Sequence, residues 1–109
     1  MNFEAFLGFN DTTATLYLSG VLDDSALPVF RSLIDQAVQR PLRRLVLRAH
    51  GLESITPGGV RCLAFAQQHT APGVEIIIDG ASEAVRDAVR LGGFARAVTF
   101  VEQPEALVG

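Results

Sequence analysis

The chain has 109 residues, 49% of them hydrophobic, a formal net charge of −3 and a single cysteine. That length is one domain's worth, and the apolar content supplies a core without any disulfide, which one thiol could not form within the chain in any case. An acidic balance argues against nucleic acid as the main partner, and no apolar run approaches the length of a membrane span.

In chain order, Phe3 to Phe9 reads as a first strand, with Asn10 and Asp11 as the turn after it. Alternation puts Phe3 and Phe9 on one face and Phe6 on the other, so this strand is a candidate edge for pairing with a second copy in a weak homodimer. Thr15 to Val21 is a second strand, completing a hairpin. Asp23, Asp24 and Ser25 are helix starters. Leu27, Phe30, Leu33, Ile34, Ala37 and Val38 then recur at helical spacing, with Pro28 tolerated in the first turns. Arg40 and Pro41 end that helix.

Leu45 to Leu47 is a short strand core between Arg44 and Arg48, suited to a central strand. Arg40, Arg43, Arg44 and Arg48 crowd this stretch, either as a solvated strand edge and helix terminus or as a patch for an acidic partner. A loop through Gly51 and Ser54 leads to a second helix from Pro57 to His69. Val60, Leu63 and Ala64 form its inner stripe, and Phe65 is placed to reach the sheet. Cys62 on this helix reads as a small buried residue, since neither His50 nor His69 is tied to it as an activating base. Pro72 and Gly73 turn the chain into a strand over Val74 to Ile78. Ser82 caps a third helix whose apolar face holds Val85, Ala88, Val89 and Leu91, stopped by Gly92 and Gly93. Val98 to Val101 is a last strand, and Pro104 to Leu107 adds a closing helical turn.

Helices alternating with short apolar strands predict an α/β fold in one domain over residues 1–109. The expected sheet is mostly parallel, with a mixed edge and helices on one face. Three stretches carry a further likeness. Leu18-Ser19-Gly20-Val21-Leu22-Asp23, Arg44-Leu45-Val46-Leu47 followed by Leu52 through Gly59, and Ala84 through Phe94 resemble the STAS domain family of bacterial anti-sigma factor antagonists. The resemblance spans roughly Ala14 to Leu107. It implies a four- to five-stranded mixed, mostly parallel α/β sheet with three to four helices packed mainly on one face. It also implies docking on a serine-kinase-type anti-sigma factor to release a sigma factor, switched off by phosphorylation of one Ser or Thr on a loop.

This chain departs from that pattern at the loop. Thr56 stands where the family usually has Asp, and Pro57 stands at the phosphoacceptor, followed by Gly58, Gly59 and Val60. Proline has no hydroxyl, so the family chemistry is absent at that position. Independently of any family, Thr56 is a good N-cap and Pro57 a good first helical residue. Two consecutive glycines open the backbone to close approach. The expected partner-binding residues are therefore Gly20, Leu22, Asp23, Thr56, Pro57, Gly58, Gly59 and Val60. For Asp23, helix capping and recognition stay equally open. Ser54 and Thr56 are the substitute phosphosites to test.

No paired-carboxylate motif, metal-ligand cluster, P-loop or dinucleotide fingerprint is present, so no enzyme, cofactor or metal is expected. The expected setting is cytoplasmic, since no signal peptide is seen. The alternative function is a non-switching accessory or scaffold subunit of a lipid-transport ABC complex or a stress-sensing complex.

Overall fold

The computed structural model describes residues 2–102. Their order is β1 (Glu4–Asn10), β2 (Thr13–Leu22), α1 (Leu27–Val38), β3 (Arg44–Ile55), α2 (Pro57–His69), β4 (Glu75–Asp79), α3 (Glu83–Leu91) and β5 (Thr99–Val101). The five strands lie in the order β1-β2-β3-β4-β5; β1 runs antiparallel to β2 and every other pair is parallel. The expected mixed, mostly parallel sheet is thus the observed one. The closing turn expected over 104–107 lies outside the described residues.

One face of the sheet is apolar and covered. Ala14, Leu16 and Leu18 on β2, Leu45, Leu47 and Ala49 on β3, and Ile76 and Ile78 on β4 are all buried. Cross-strand pairing sets them side by side, Leu16 beside Leu47 and Leu47 beside Ile78. Phe30, Ile34 and Ala37 of α1, Leu63 and Ala66 of α2, and Val85 and Val89 of α3 close over them. The other face carries the alternate residues. Phe6, Tyr17, Arg48 and Asp79 stand in one row across it.

Three expectations need correction. β3 is not a short core followed by a loop but one strand of 12 residues ending at Ile55. Its pairing with β2 shifts register between Tyr17 and Ser19 and again between Gly20 and Val21. Each shift adds a residue to β3 and reverses which side chains point inward, so the buried series runs Leu45, Leu47, Ala49, then Leu52, then Ile55. Leu91 does not join the apolar face of α3. It is 87% exposed, because the inward stripe of this helix ends at Val89. Phe65 is only half-buried and turns toward α1, where the Arg31 guanidinium lies 3.7 Å from its ring centre.

The arginine cluster disperses once folded. Arg40 lies over the Phe9 ring at 3.8 Å, Arg44 pairs with Glu75 at 3.3 Å and Arg48 with Asp79 at 3.5 Å. His50 meets the other oxygen of Asp79 at 3.3 Å. That arrangement requires Gly80 next to it: its φ is +75°, and a Cβ there would fall 2.0 Å from the His50 ring.

Candidate functional site

The second bulge in β3 carries the strand on to the end of β2, where Leu22 pairs with Ile55. The chain then enters α2 at once. Thr56 is extended and caps the helix, its hydroxyl accepting the Gly59 N–H at 3.4 Å, and Pro57 follows in the first turn. The Thr56 hydroxyl also donates to Asp24 Oδ1 at 3.4 Å, tying this loop to the one that leaves β2.

The two glycines face inward. A Cβ on Gly59 would sit 2.5 Å from Ile55 Cγ1 and 3.1 Å from Leu22 Cδ2, and one on Gly58 would sit 2.7 Å from Leu27 Cδ1. Both are buried, whereas Pro57 is exposed and Thr56 and Ser54 are half-exposed. The glycines therefore let the first turn of α2 seat against β2, β3 and α1. Leu22 is fully buried beneath that turn and shapes the site from below. Gly20 lies at the bulge with φ +88°, where a Cβ would strike the Asn2 carbonyl at 1.9 Å.

Asp23 caps the single 3₁₀ turn Asp24–Ala26 that precedes α1. One of its oxygens accepts from the Ser25 hydroxyl at 2.6 Å and from the Ser25 and Ala26 N–H groups at 3.1 and 3.2 Å. The Ser25 hydroxyl, first among these, holds its carboxyl below the usual range. It is Asp24, one residue on, that touches Thr56.

Val60 is buried, but it floors an apolar groove of about 450 Å³ between α2 and α3. Pro57, Ala64, Ala88, Gly92 and Phe94 line the rest, with exposed Leu91 and Arg61 among its residues. Gly92 is needed there: a Cβ would stand 2.7 Å from Val60 Cγ1. Sequence reading found the α2 side of this groove and missed the α3 side. The signal available was Leu91, an apolar residue at the end of a short amphipathic helix.

Cys62 is a buried free thiol, and burial pushes its pKa up against the smaller opposing pull of Arg31 and Arg61. His69 is held by the Phe65 carbonyl at 2.9 Å and His50 by Asp79, so neither histidine is bonded to it. Among the described residues no group of three or more His, Cys, Asp or Glu side chains is placed to hold a metal ion, and no helix is long and apolar enough to cross a membrane.

A helix layer on one face of a five-stranded sheet, with a capped loop delivering α2 beside the end of β2, defines a STAS-type domain. The chain belongs to the STAS domain family: the family model described as Mlab, STAS domain matches residues 5–103. Among solved structures it is similar to an anti-sigma factor antagonist from Mycobacterium paratuberculosis, with a TM-score of 0.82 and 17% identity over 97% of this chain and 88% of that one. It is also similar to the anti-sigma factor antagonist SpoIIAA in its unphosphorylated form, with a TM-score of 0.80 and 20% identity over 94% and 90% of the two chains. These likenesses show a shared fold. Among curated proteins, a tRNA (guanine-N(7)-)-methyltransferase of Actinobacillus pleuropneumoniae serotype 5b (strain L20) is 28% identical over 103 residues. That match takes in 94% of this chain and only 36% of the methyltransferase.

Proposed function

We propose that this chain is a protein-docking regulator of the anti-sigma factor antagonist type, acting in the cytoplasm. In this reading it binds a serine-kinase-type anti-sigma factor and so releases a sigma factor. The docking surface is the start of α2, with Thr56 and Pro57 outermost, together with Asp23, the neighbouring bulge of β2 at Gly20 and the groove floored by Val60. Gly58, Gly59 and Leu22 serve it from within by fixing how α2 sits.

One observation carries the reading: an exposed proline heads α2 beside an open apolar groove, in a chain of this family. Pro57 fills the position at which the resemblance puts the phosphoacceptor, and it offers no oxygen to phosphorylate. Docking is then constitutive. The same feature favours a second reading, a non-switching accessory or scaffold subunit of a lipid-transport ABC complex or a stress-sensing complex. Either way the domain binds rather than catalyses. The methyltransferase likeness covers too little of that protein to carry its activity here.

The test has two arms. Leu91→Glu changes an exposed side chain, so it leaves the fold intact and removes the apolar rim of the groove. Affinity capture with the unaltered chain identifies the partner, and capture with L91E fails. A kinase-type anti-sigma factor in the first capture supports the first reading; a transporter ATPase or a scaffold supports the second. Incubation of the chain with the captured kinase and ATP leaves its mass unchanged. A stoichiometric phosphate on Ser54 or Thr56 overturns constitutive docking.

A further inference from the structure

We propose that two copies of this chain associate through the free edge of β1, joining their sheets into one. Among the described residues β1 pairs with β2 on one side and is the terminal strand of the sheet on the other. The hairpin is closed by Asn10 opposite Thr13, with only Asp11 and Thr12 between them and φ +58° at Asp11. In a two-residue hairpin the closing pair exchanges hydrogen bonds, and the pattern alternates from there. Asn10, Gly8, Phe6 and Glu4 therefore bond to β2. The N–H and C=O groups of Phe9, Leu7 and Ala5 point out from the sheet.

That edge is complementary to itself. A two-fold axis at Leu7 aligns all of Glu4–Asn10 antiparallel with its copy. It sets Leu7 against Leu7 and Ala5 against Phe9, the residues whose backbone groups point outward. In the same register the one charged residue of the strand, Glu4, meets Asn10 and not a second carboxylate. Phe6 meets Gly8, whose missing side chain leaves room for a ring, as aromatic residues commonly cover strand glycines. No proline or charge at the middle of β1 guards it against such pairing.

Exposed apolar side chains flank the edge above and below. On the open face, Phe6 is 68% exposed and its cross-strand neighbour Tyr17 is 47% exposed. On the helix side, α1 turns Leu27 and Arg31 toward α2, where they meet Gly58 and Phe65. Helical spacing then puts Val29 and Leu33 on the opposite flank, and just past the end of the helix Arg40 lies over Phe9 of β1. Val29, 54% exposed, thus lies on the β1 side of α1, level with the start of that strand, where the next residue, Phe30, meets Phe3 edge to face. Of the large apolar side chains exposed among the described residues, Phe6 is on this edge strand, Tyr17 is its neighbour on β2 and Val29 lies on the flanking side of α1, whereas Leu91 belongs to the α2–α3 groove. In the two-fold pair Phe6, one residue from the axis, extends across the joint on the open face, while Val29, level with Phe3, stands near the far end of the copied strand and not near a second Val29.

Sedimentation velocity on the whole chain, from micromolar to millimolar, tests this. A reversible monomer–dimer equilibrium is expected, weakened by about tenfold or more by Phe6→Glu, which puts a charge where apolar contact forms. Leu91→Glu leaves it unchanged. Amide hydrogen exchange on the unaltered chain reads the register independently of any variant: Ala5, Leu7 and Phe9 gain protection as concentration rises. A monomer throughout overturns the proposal. So does a dimer that survives F6E, or one lost only in L91E, which moves the contact to the groove.

Discussion

Gly59 shows how much one missing methyl group controls. The first turn of α2 rests directly on Ile55 and Leu22, leaving less room than a Cβ needs. Gly59→Ala therefore overpacks the junction and costs about 1–3 kcal/mol, measured as a lower urea midpoint with an unchanged slope. Gly80 is tighter still, because positive φ and the His50 ring act together. Asp23 gives a pH signature of known sign. Its folded carboxyl titrates below the ordinary carboxylate value, chiefly through the Ser25 hydroxyl. The stability it contributes is complete above the unfolded value and is lost as pH falls through the depressed folded one. Asp23→Asn keeps an oxygen for the cap and removes the titration. The stability difference between the two chains, followed by chemical unfolding across the acid range, is expected to shrink as pH falls. The Cys62 thiol, buried and with its pKa raised, is expected to react with iodoacetamide far more slowly in the folded chain than in urea.

At the scale of elements, both later helices are started by hydroxyl caps. Ser82 accepts the Val85 N–H at 3.2 Å as Thr56 accepts that of Gly59. Ser82→Ala is expected to cost about 1 kcal/mol, seen as a drop in thermal midpoint, while Ser82→Thr retains most of the cap. Helix ends were legible in the sequence because capping is local chemistry. Gly92 and Gly93 stop α3 as their types suggest, Gly93 taking φ +77° while Phe94 N–H returns to the Val89 carbonyl at 3.0 Å. The full length of β3 was not legible. Two bulges reverse its alternation, so Leu52 and Ile55 look out of phase with Leu45 and Leu47 although one strand carries all four.

At the scale of the whole molecule, one sheet face is filled by three helices, and the other carries a row that runs from exposed Phe6 and Tyr17 to Arg48 and Asp79. Asp79 anchors that row, buried between Arg48 and His50. Asp79→Asn leaves the Arg48 guanidinium without its anion and is expected to lower stability by about 1–3 kcal/mol, measured by denaturant unfolding. Among the described residues the α2–α3 groove, with exposed Leu91, is separate from the β1 edge, with exposed Phe6. L91E is accordingly expected to abolish partner capture while leaving thermal unfolding within error, because the side chain already lies in solvent.

Alternation, helical spacing and turn chemistry determined by themselves the order and type of nearly every element, since each is a property of a few neighbouring residues. Thr56 and Pro57 announced the start of α2 for the same reason. Tertiary structure decided the rest. It made Gly58 and Gly59 packing residues, put Asp24 rather than Asp23 against Thr56, and turned Leu91 outward to border a groove with Val60. Each of these depends on where a second, distant segment of backbone comes to lie, and side-chain pattern along one segment carries no record of that distance.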